Sequence, residues 1–142
     1  MRLFVAFDVK SEEVERLRKL FSIDGVKLAE GNHLTLKFLG DVDEALVPKI
    51  QEALRSIRFE KIVELKKKID EALLRYFLED KDFKAHVTIG RVKDPSVKDA
   101  VLEKLKEHVV LESISIDCFK LYRSELKQGG SVYTAVEEYD LE

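Results

Sequence analysis

The stretch His33-Leu34-Thr35-Leu36-Lys37-Phe38-Leu39-Gly40 reads as a β-strand with two chemically different faces. Side chains alternate along a strand, so His33, Thr35 and Lys37 share one face and Leu34, Leu36 and Phe38 share the other. The apolar face is expected to pack on helices, leaving the polar face for solvent or a ligand. A second stretch, His86-Val87-Thr88-Ile89, repeats the frame of histidine, apolar residue, threonine, apolar residue, and lies in a predicted strand over 85–92. A lone strand histidine is ordinarily a half-exposed surface group or a hydrogen-bonded core residue. A repeated His-Thr pair, in a chain with only 3 histidines, has no structural reason to recur and points to chemistry.

Outward from these stretches the pattern mixes strands with helices. Residues 2–9 form an apolar strand, and Ser11 then caps a helix to about Phe21, with Glu12 and Glu13 in its first turn and Val14, Leu17, Leu20 and Phe21 at helical spacing. Gly25 interrupts, a short strand is predicted over 26–29, and Gly31-Asn32 turns into the first motif strand. Helices are expected over 43–57, where Pro48 is tolerated only if it falls in the first turn, and over 62–78. Asp94-Pro95 opens another over 96–108, with Val97, Val101, Leu102 and Leu105 inward. Strand candidates 109–122 and 131–139 follow, joined through Gln128-Gly129-Gly130. The order helix, motif strand, helix, motif strand indicates an α+β chain of two related lobes, pseudo-duplicated, over residues 1–142 as a single domain.

The chain has 142 residues, a formal net charge of −3, 45% hydrophobic and 37% charged residues, which fits a globular protein with a real core. No apolar run approaches the about 20 residues of a membrane helix, and the start Met1-Arg2-Leu3-Phe4-Val5-Ala6-Phe7-Asp8 has no signal-peptide layout, so a cytoplasmic location and no membrane partner are expected. One cysteine, Cys118, excludes an internal disulfide and a thiolate metal cage; it reads as a small core residue. A net-acidic chain can meet nucleic acid only through a local basic lining, and this favours small or end-only substrates over a long footprint.

In-line cleavage of a phosphodiester needs a base to take a proton from water and an acid to protonate the leaving oxygen. Two histidines titrate near neutrality and can divide these tasks, and threonine hydroxyls can donate to the phosphate oxygens where charge builds. No metal or cofactor is required, and the histidines lack the neighbouring ligands of a metal set. Lys37 continues the polar face and is a candidate phosphate contact or, equally, a solvated strand-end lysine. Gly90 leaves room for a close ligand. Arg91 falls on the Val87-Ile89 face under strict alternation and reaches the polar side only if the strand ends or bulges at Gly90. His108 reads as a cation near a helix C-terminus. Tyr122, Arg123, Lys127 and Tyr133 either help hold a nucleotide or dress a hairpin.

The two motifs, His33 to Gly40 and His86-Val87-Thr88-Ile89-Gly90-Arg91-Val92, resemble the paired HxTx signatures of the two-histidine (2H) phosphoesterases, nearest the LigT/ThpR-like RNA 2′,3′-cyclic phosphodiesterases, also called 2′-5′ RNA ligases. The start of the chain and the segments Leu121 to Glu125 and Gly129 to Ala135 are similar to that family as well. The resemblance implies a bilobal α+β fold, with antiparallel sheets and flanking helices around a central cleft. It implies hydrolysis of RNA 2′,3′-cyclic phosphate ends to 2′-phosphomonoesters, with 2′-5′ ligase activity in some members. It makes His33 the proton donor and His86 the proton acceptor, and has Thr35 and Thr88 holding the phosphate. Lys37 and Arg91 are the substrate-binding candidates. The expected partners are RNA ends or nucleotides carrying a 2′,3′-cyclic phosphate, met by a monomer. A non-catalytic RNA-end binding module and a phosphoesterase for a small nucleotide are the alternatives. One departure stands out. Family members carry a longer stretch between the motifs, with further strands, whereas residues 41–84 here read almost wholly as helix. Part of one lobe's sheet is expected to be absent near Phe59 to Val63, whether the lobe is natively trimmed or residues are missing from the chain at this point.

Overall fold

The strand that organises the main sheet is β1 (Arg2–Asp8), which is buried from Leu3 through Phe7 without interruption. Such a run suits a central strand, because both its faces and both its edges are covered. A computed structural model describes residues 1–57, 62–80, 83–104 and 116–140. These residues divide into two compact units, one drawn from Met1–Phe7, Leu34–His86 and Ile116–Glu142, the other from Asp8–His33 and Val87–Ser115.

In the first unit, β1 lies inside a four-stranded sheet of order β3-β1-β5-β6, with β3 at His33–Asp41, β5 at Cys118–Lys127 and β6 at Gly130–Asp140. The strand β5 pairs antiparallel with β1 (Val5 opposite Leu121) and with β6 (Lys127 opposite Gly130). The hairpin turn expected at Gln128-Gly129-Gly130 is the two-residue loop Gln128-Gly129, with Gly130 already opening β6. The predicted strand over 109–122 begins later and runs farther, to Lys127; residues 109–115 lie outside the described residues. One sheet face carries Val5, Leu121 and Glu137, and α2 (Val47–Arg55) packs there through Arg55, whose Nη2 meets Glu137 Oε1 at 2.8 Å. On the opposite face the Phe4 ring stacks on Tyr122 at 5.2 Å and meets Tyr133 edge-on at 5.2 Å.

Helix α2 has Pro48 in its first turn, as its spacing requires, and buries Val47, Ile50 and Leu54. Helix α3 (Ile62–Leu73) buries Leu65, Ile69 and Leu73 completely but stops five residues short of the predicted end at 78. The Leu73 carbonyl takes the N–H groups of both Tyr76 and Phe77 at 2.9 Å, which closes the helix in a turn. Among the described residues no strand lies between Asp41 and Gly90; residues 59–61 of the stretch where a strand was expected to be absent lie outside them.

The second unit holds α1 (Glu12–Leu20), a two-stranded antiparallel sheet of β2 (Val26–Leu28) and β4 (Gly90–Val92), and α4 (Lys98–Lys104) after a short turn of helix at Pro95–Val97. Ser11 caps α1 and accepts from the Val14 N–H, and Asp94 caps the Pro95 turn through the Ser96 N–H at 2.9 Å. The strand predicted over 85–92 shrinks to three residues. The same alternating pattern serves as a long strand only where a partner of equal length exists, and β2 offers three residues. Leu102, expected inward, is exposed, while Val97 and Val101 are half-buried; Leu105 and His108 lie outside the described residues. Two further expectations change on β3. Lys37 is 2% exposed, its charge being compensated by carboxylates, and Phe38 is 69% exposed, in a tilted contact with Phe4 at 5.9 Å.

Gly25 is a tight, conformationally demanding point of the second unit. Its φ is +85°, its carbonyl accepts from the Lys93 and Asp94 N–H groups, and a Cβ there would sit 2.9 Å from Val97 Cγ2. Gly25→Ala therefore adds backbone strain to a steric clash. It is expected to lower the unfolding free energy by roughly 1–3 kcal/mol in urea titrations, against a neutral effect of Gly129→Ala, where a Cβ meets nothing within 4 Å.

Candidate functional site

His33 opens β3, where alternation buries Leu34 and Leu36 and leaves His33 and Thr35 half-buried. The preceding turn is fixed from two sides: the Val9 N–H donates to the Asn32 carbonyl at 2.8 Å, and Arg18 Nη1 donates to the Ala29 carbonyl at 2.8 Å and the Gly31 carbonyl at 3.4 Å. The Asn32 amide also donates to Glu15 on α1. Burial pushes the His33 imidazole below its usual pKa of 6.5, and the Asp8 carboxylate opposes part of that shift.

His86 sits in a different setting. It is exposed and lies outside any strand. Its Nδ1 is 2.8 Å from the Lys84 carbonyl oxygen, which can only accept. The neutral ring therefore carries its proton on Nδ1, and Nε2 keeps a lone pair free to take a proton. Within the same unit, His86 lines a cavity of about 350 Å³ with Thr35, Lys37, Phe38, Asp80 and Phe83. Thus the sequence-predicted Thr35, Lys37 and His86 come together around one cavity.

Lys37 does not offer a free charge to that cavity. Its ammonium donates to Asp70 Oδ1 at 2.6 Å, the Leu78 carbonyl at 2.9 Å and Asp80 Oδ2 at 3.4 Å. Lys66 joins the same carboxylates at 2.8 and 2.6 Å and lies over the Phe83 ring, 5.1 Å from its centre. Burial raises the Asp80 pKa, but the hydrogen bond from Lys66 and the charges of Lys66 and Lys37 outweigh it, and the net shift is downward. Lys66, Asp70, Asp80 and Phe83 escaped the sequence reading. Lys66 and Asp70 stand four apart on α3 and look like an ordinary surface pair; only the exposure of Phe38 in place of Lys37 reveals that the strand turns its lysine inward.

Thr88 and Arg91 belong to the second unit with His33. Thr88 is half-buried just before β4, and Arg91 is exposed in β4 opposite Lys27. Regular strand begins only at Gly90, so alternation from Thr88 does not fix the side on which Arg91 lies. The space at Gly90 is taken by β2: a Cβ there would come 2.8 Å from the Lys27 carbonyl oxygen. Tyr122 and Tyr133 pack on Phe4, and Arg123 and Lys127 pair with Glu125 at 3.0 and 3.7 Å. Burial, aided by Glu138, pushes the Cys118 thiol up to about 11, which leaves it inert at neutral pH.

A model of the family described as LigT like Phosphoesterase matches residues 8–63 and 58–133. An RNA 2′,3′-cyclic phosphodiesterase of Methanocaldococcus jannaschii is 30% identical over an alignment of 173 residues that covers 98% of this chain and 100% of the relative. One of the same name from Archaeoglobus fulgidus is 30% identical over 178, covering 99% and 100%. Among solved structures, one from Thermus thermophilus superposes with a TM-score of 0.76 at 24% identity, covering 99% of this chain and 97% of that one, and E. coli LigT in apo form with 0.71 at 20%, covering 99% and 96%. The chain belongs to the LigT-like phosphoesterase family, the two-histidine phosphoesterases. The alignments are longer than the chain itself, so these relatives carry residues that it lacks.

The sign of the His33 shift gives a direct test. Removing the Asp8 charge removes an influence that favours the imidazolium, so in Asp8→Asn the His33 midpoint, followed by proton NMR, is expected to fall further below 6.5. An unchanged midpoint would show that Asp8 does not act on this ring.

Proposed function

We propose that this protein hydrolyses RNA 2′,3′-cyclic phosphate ends to 2′-phosphomonoesters by acid–base catalysis between its two motif histidines. The observation that carries this reading is the His86 ring, held by the Lys84 carbonyl in the tautomer whose free Nε2 can accept a proton, beside Thr35 in a cavity of phosphate-ester size. The relatives named RNA 2′,3′-cyclic phosphodiesterase, in both archaea and Thermotoga maritima, supply the substrate class; E. coli LigT has been solved in complex with 3′-AMP and with phosphate.

In the reaction, His86 Nε2 takes a proton from water as the water oxygen attacks phosphorus. The P–O3′ bond breaks, and His33, as imidazolium, gives its proton to the departing O3′. Thr35 and Thr88 donate hydrogen bonds to the non-bridging oxygens, which gain charge on the way to the transition state. Arg91 supplies the mobile positive charge, since the ammonium of Lys37 is already occupied by three acceptors. The two imidazoles need no metal to perform this proton traffic. A cytoplasmic monomer is part of the same proposal.

An oligonucleotide ending in a 2′,3′-cyclic phosphate, incubated with EDTA, tests it. Wild-type protein is expected to release the 2′-phosphate product, and His33→Ala and His86→Ala are each expected to lose about 10²- to 10⁴-fold in kcat. Binding of the end without any product would point instead to an RNA-end binding module, and full turnover in both variants would remove the histidines from the mechanism.

A further inference from the structure

We propose that the buried charges Lys37, Lys66 and Asp70, together with the half-exposed Asp80, form a positioning clamp that sets the His86 ring relative to Thr35, with the kinetic part of the test resting on the hydrolysis proposed above. The need for such a device comes from the backbone. Beyond Leu73, the described residues up to His86 contain no helix or strand. A segment without ladder hydrogen bonds gains little from its own backbone to offset the entropy lost on ordering. A catalytic base carried on it must be held by something else.

The tethers are all of one kind. Lys37, two residues after Thr35 on β3, reaches the Leu78 carbonyl at 2.9 Å and Asp80 at 3.4 Å. Lys66 on α3 reaches Asp80 at 2.6 Å and covers Phe83 with its ammonium. Asp70 Oδ1 bridges the two lysines at 2.6 and 2.8 Å, so strand and helix are locked to each other before either grips the segment. From Phe83 the chain passes to Lys84, whose carbonyl holds His86 Nδ1 at 2.8 Å. Leu78, Asp80 and Phe83 are thus fixed points along the approach to the histidine, and the strand they are fixed to is the one that bears Thr35.

A purely structural ion cluster would serve stability alone. Asp80 separates the two roles, because its side chain is 48% exposed while those of Lys37, Lys66 and Asp70 are nearly inaccessible. Its loss leaves the Asp70 bridge in place while the segment loses the contacts of Asp80 with both lysines. A base misplaced by about 1 Å can lose on the order of a hundredfold in rate.

The variants Asp80→Ala, Asp80→Glu and Lys66→Met, in the full chain, are compared with wild type by three measurements: the unfolding midpoint, the ¹⁵N spectrum of the His86 ring at a pH where it is neutral, and kcat and KM on an oligonucleotide with a 2′,3′-cyclic phosphate end. In Asp80→Ala the fold is expected to persist, the Nδ1-protonated signature of His86 to give way to averaging between tautomers, and kcat to fall about ten- to a hundredfold with KM within about threefold. Asp80→Glu is expected to restore part of the kcat. A His86 spectrum in folded Asp80→Ala that superimposes on wild type overturns the clamp. Absence of turnover in wild type overturns the proposed function, while the ring spectra still decide for or against the clamp.

Discussion

A lysine ammonium at 1% exposure is an expensive thing to bury, and in the first unit Lys37 dictates what must surround it. Taking a charge out of water costs several kcal/mol unless it is met by opposite charge and hydrogen-bond acceptors in good geometry. Lys37 has three donors and finds three acceptors: a buried carboxylate on α3, a half-exposed carboxylate and a backbone carbonyl. Asp70, the buried partner, cannot drift without stranding the charge, a loss of about 3–5 kcal/mol when one partner of a buried pair is removed. The cluster is therefore a weak source of net stability and a strong source of position. A hydrophobic residue in its place would pack α3 against the strand equally well, but would have no hold on the Leu78 carbonyl or on Asp80.

The two histidine motifs show how far local pattern determines structure. Both alternate polar and apolar residues over four positions, and both carry the sequence signature of a strand. The first becomes the edge of a four-stranded sheet, because β1 supplies a partner along its length. The second enters a sheet ladder only at Gly90, because its partner β2 is three residues long. Period-2 alternation states which side chains would share a face if a strand formed; the ladder that makes it a strand comes from elsewhere in the chain. The well-read elements are those whose ends carry their own chemistry, such as Ser11 at α1, Pro48 at α2, Asp94 before Pro95, and the Gly-rich loop between β5 and β6.

Of the candidate site, the histidines and threonines were legible because a repeated motif is visible in one dimension. The clamp was not, because its members are scattered over 37, 66, 70 and 80 and each looks like a surface charge alone. Alternation groups Lys37 with the polar face of its strand, which is right about its neighbours in sequence and silent about its surroundings. Burial of a charged residue is a property of what packs against it, and residue type biases sequence reasoning toward exposure.

The two imidazoles differ in the feature that matters to a division of labour. His33 is half-buried beside an acidic residue, with its pKa held below the ordinary value; His86 is exposed, with one nitrogen committed to a carbonyl. Under the proposed assignment the depressed His33 is a stronger acid per proton held, but fewer molecules hold that proton at neutral pH. These effects oppose each other, as Brønsted behaviour requires. Asp8 moderates the compromise by returning part of what burial removes. An arriving phosphate anion would act in the same direction, since a negative charge near the ring favours the imidazolium. The site would then load its acid when substrate binds, and the burial that weakens His33 as a resting cation would be what makes it an effective donor in the reacting complex.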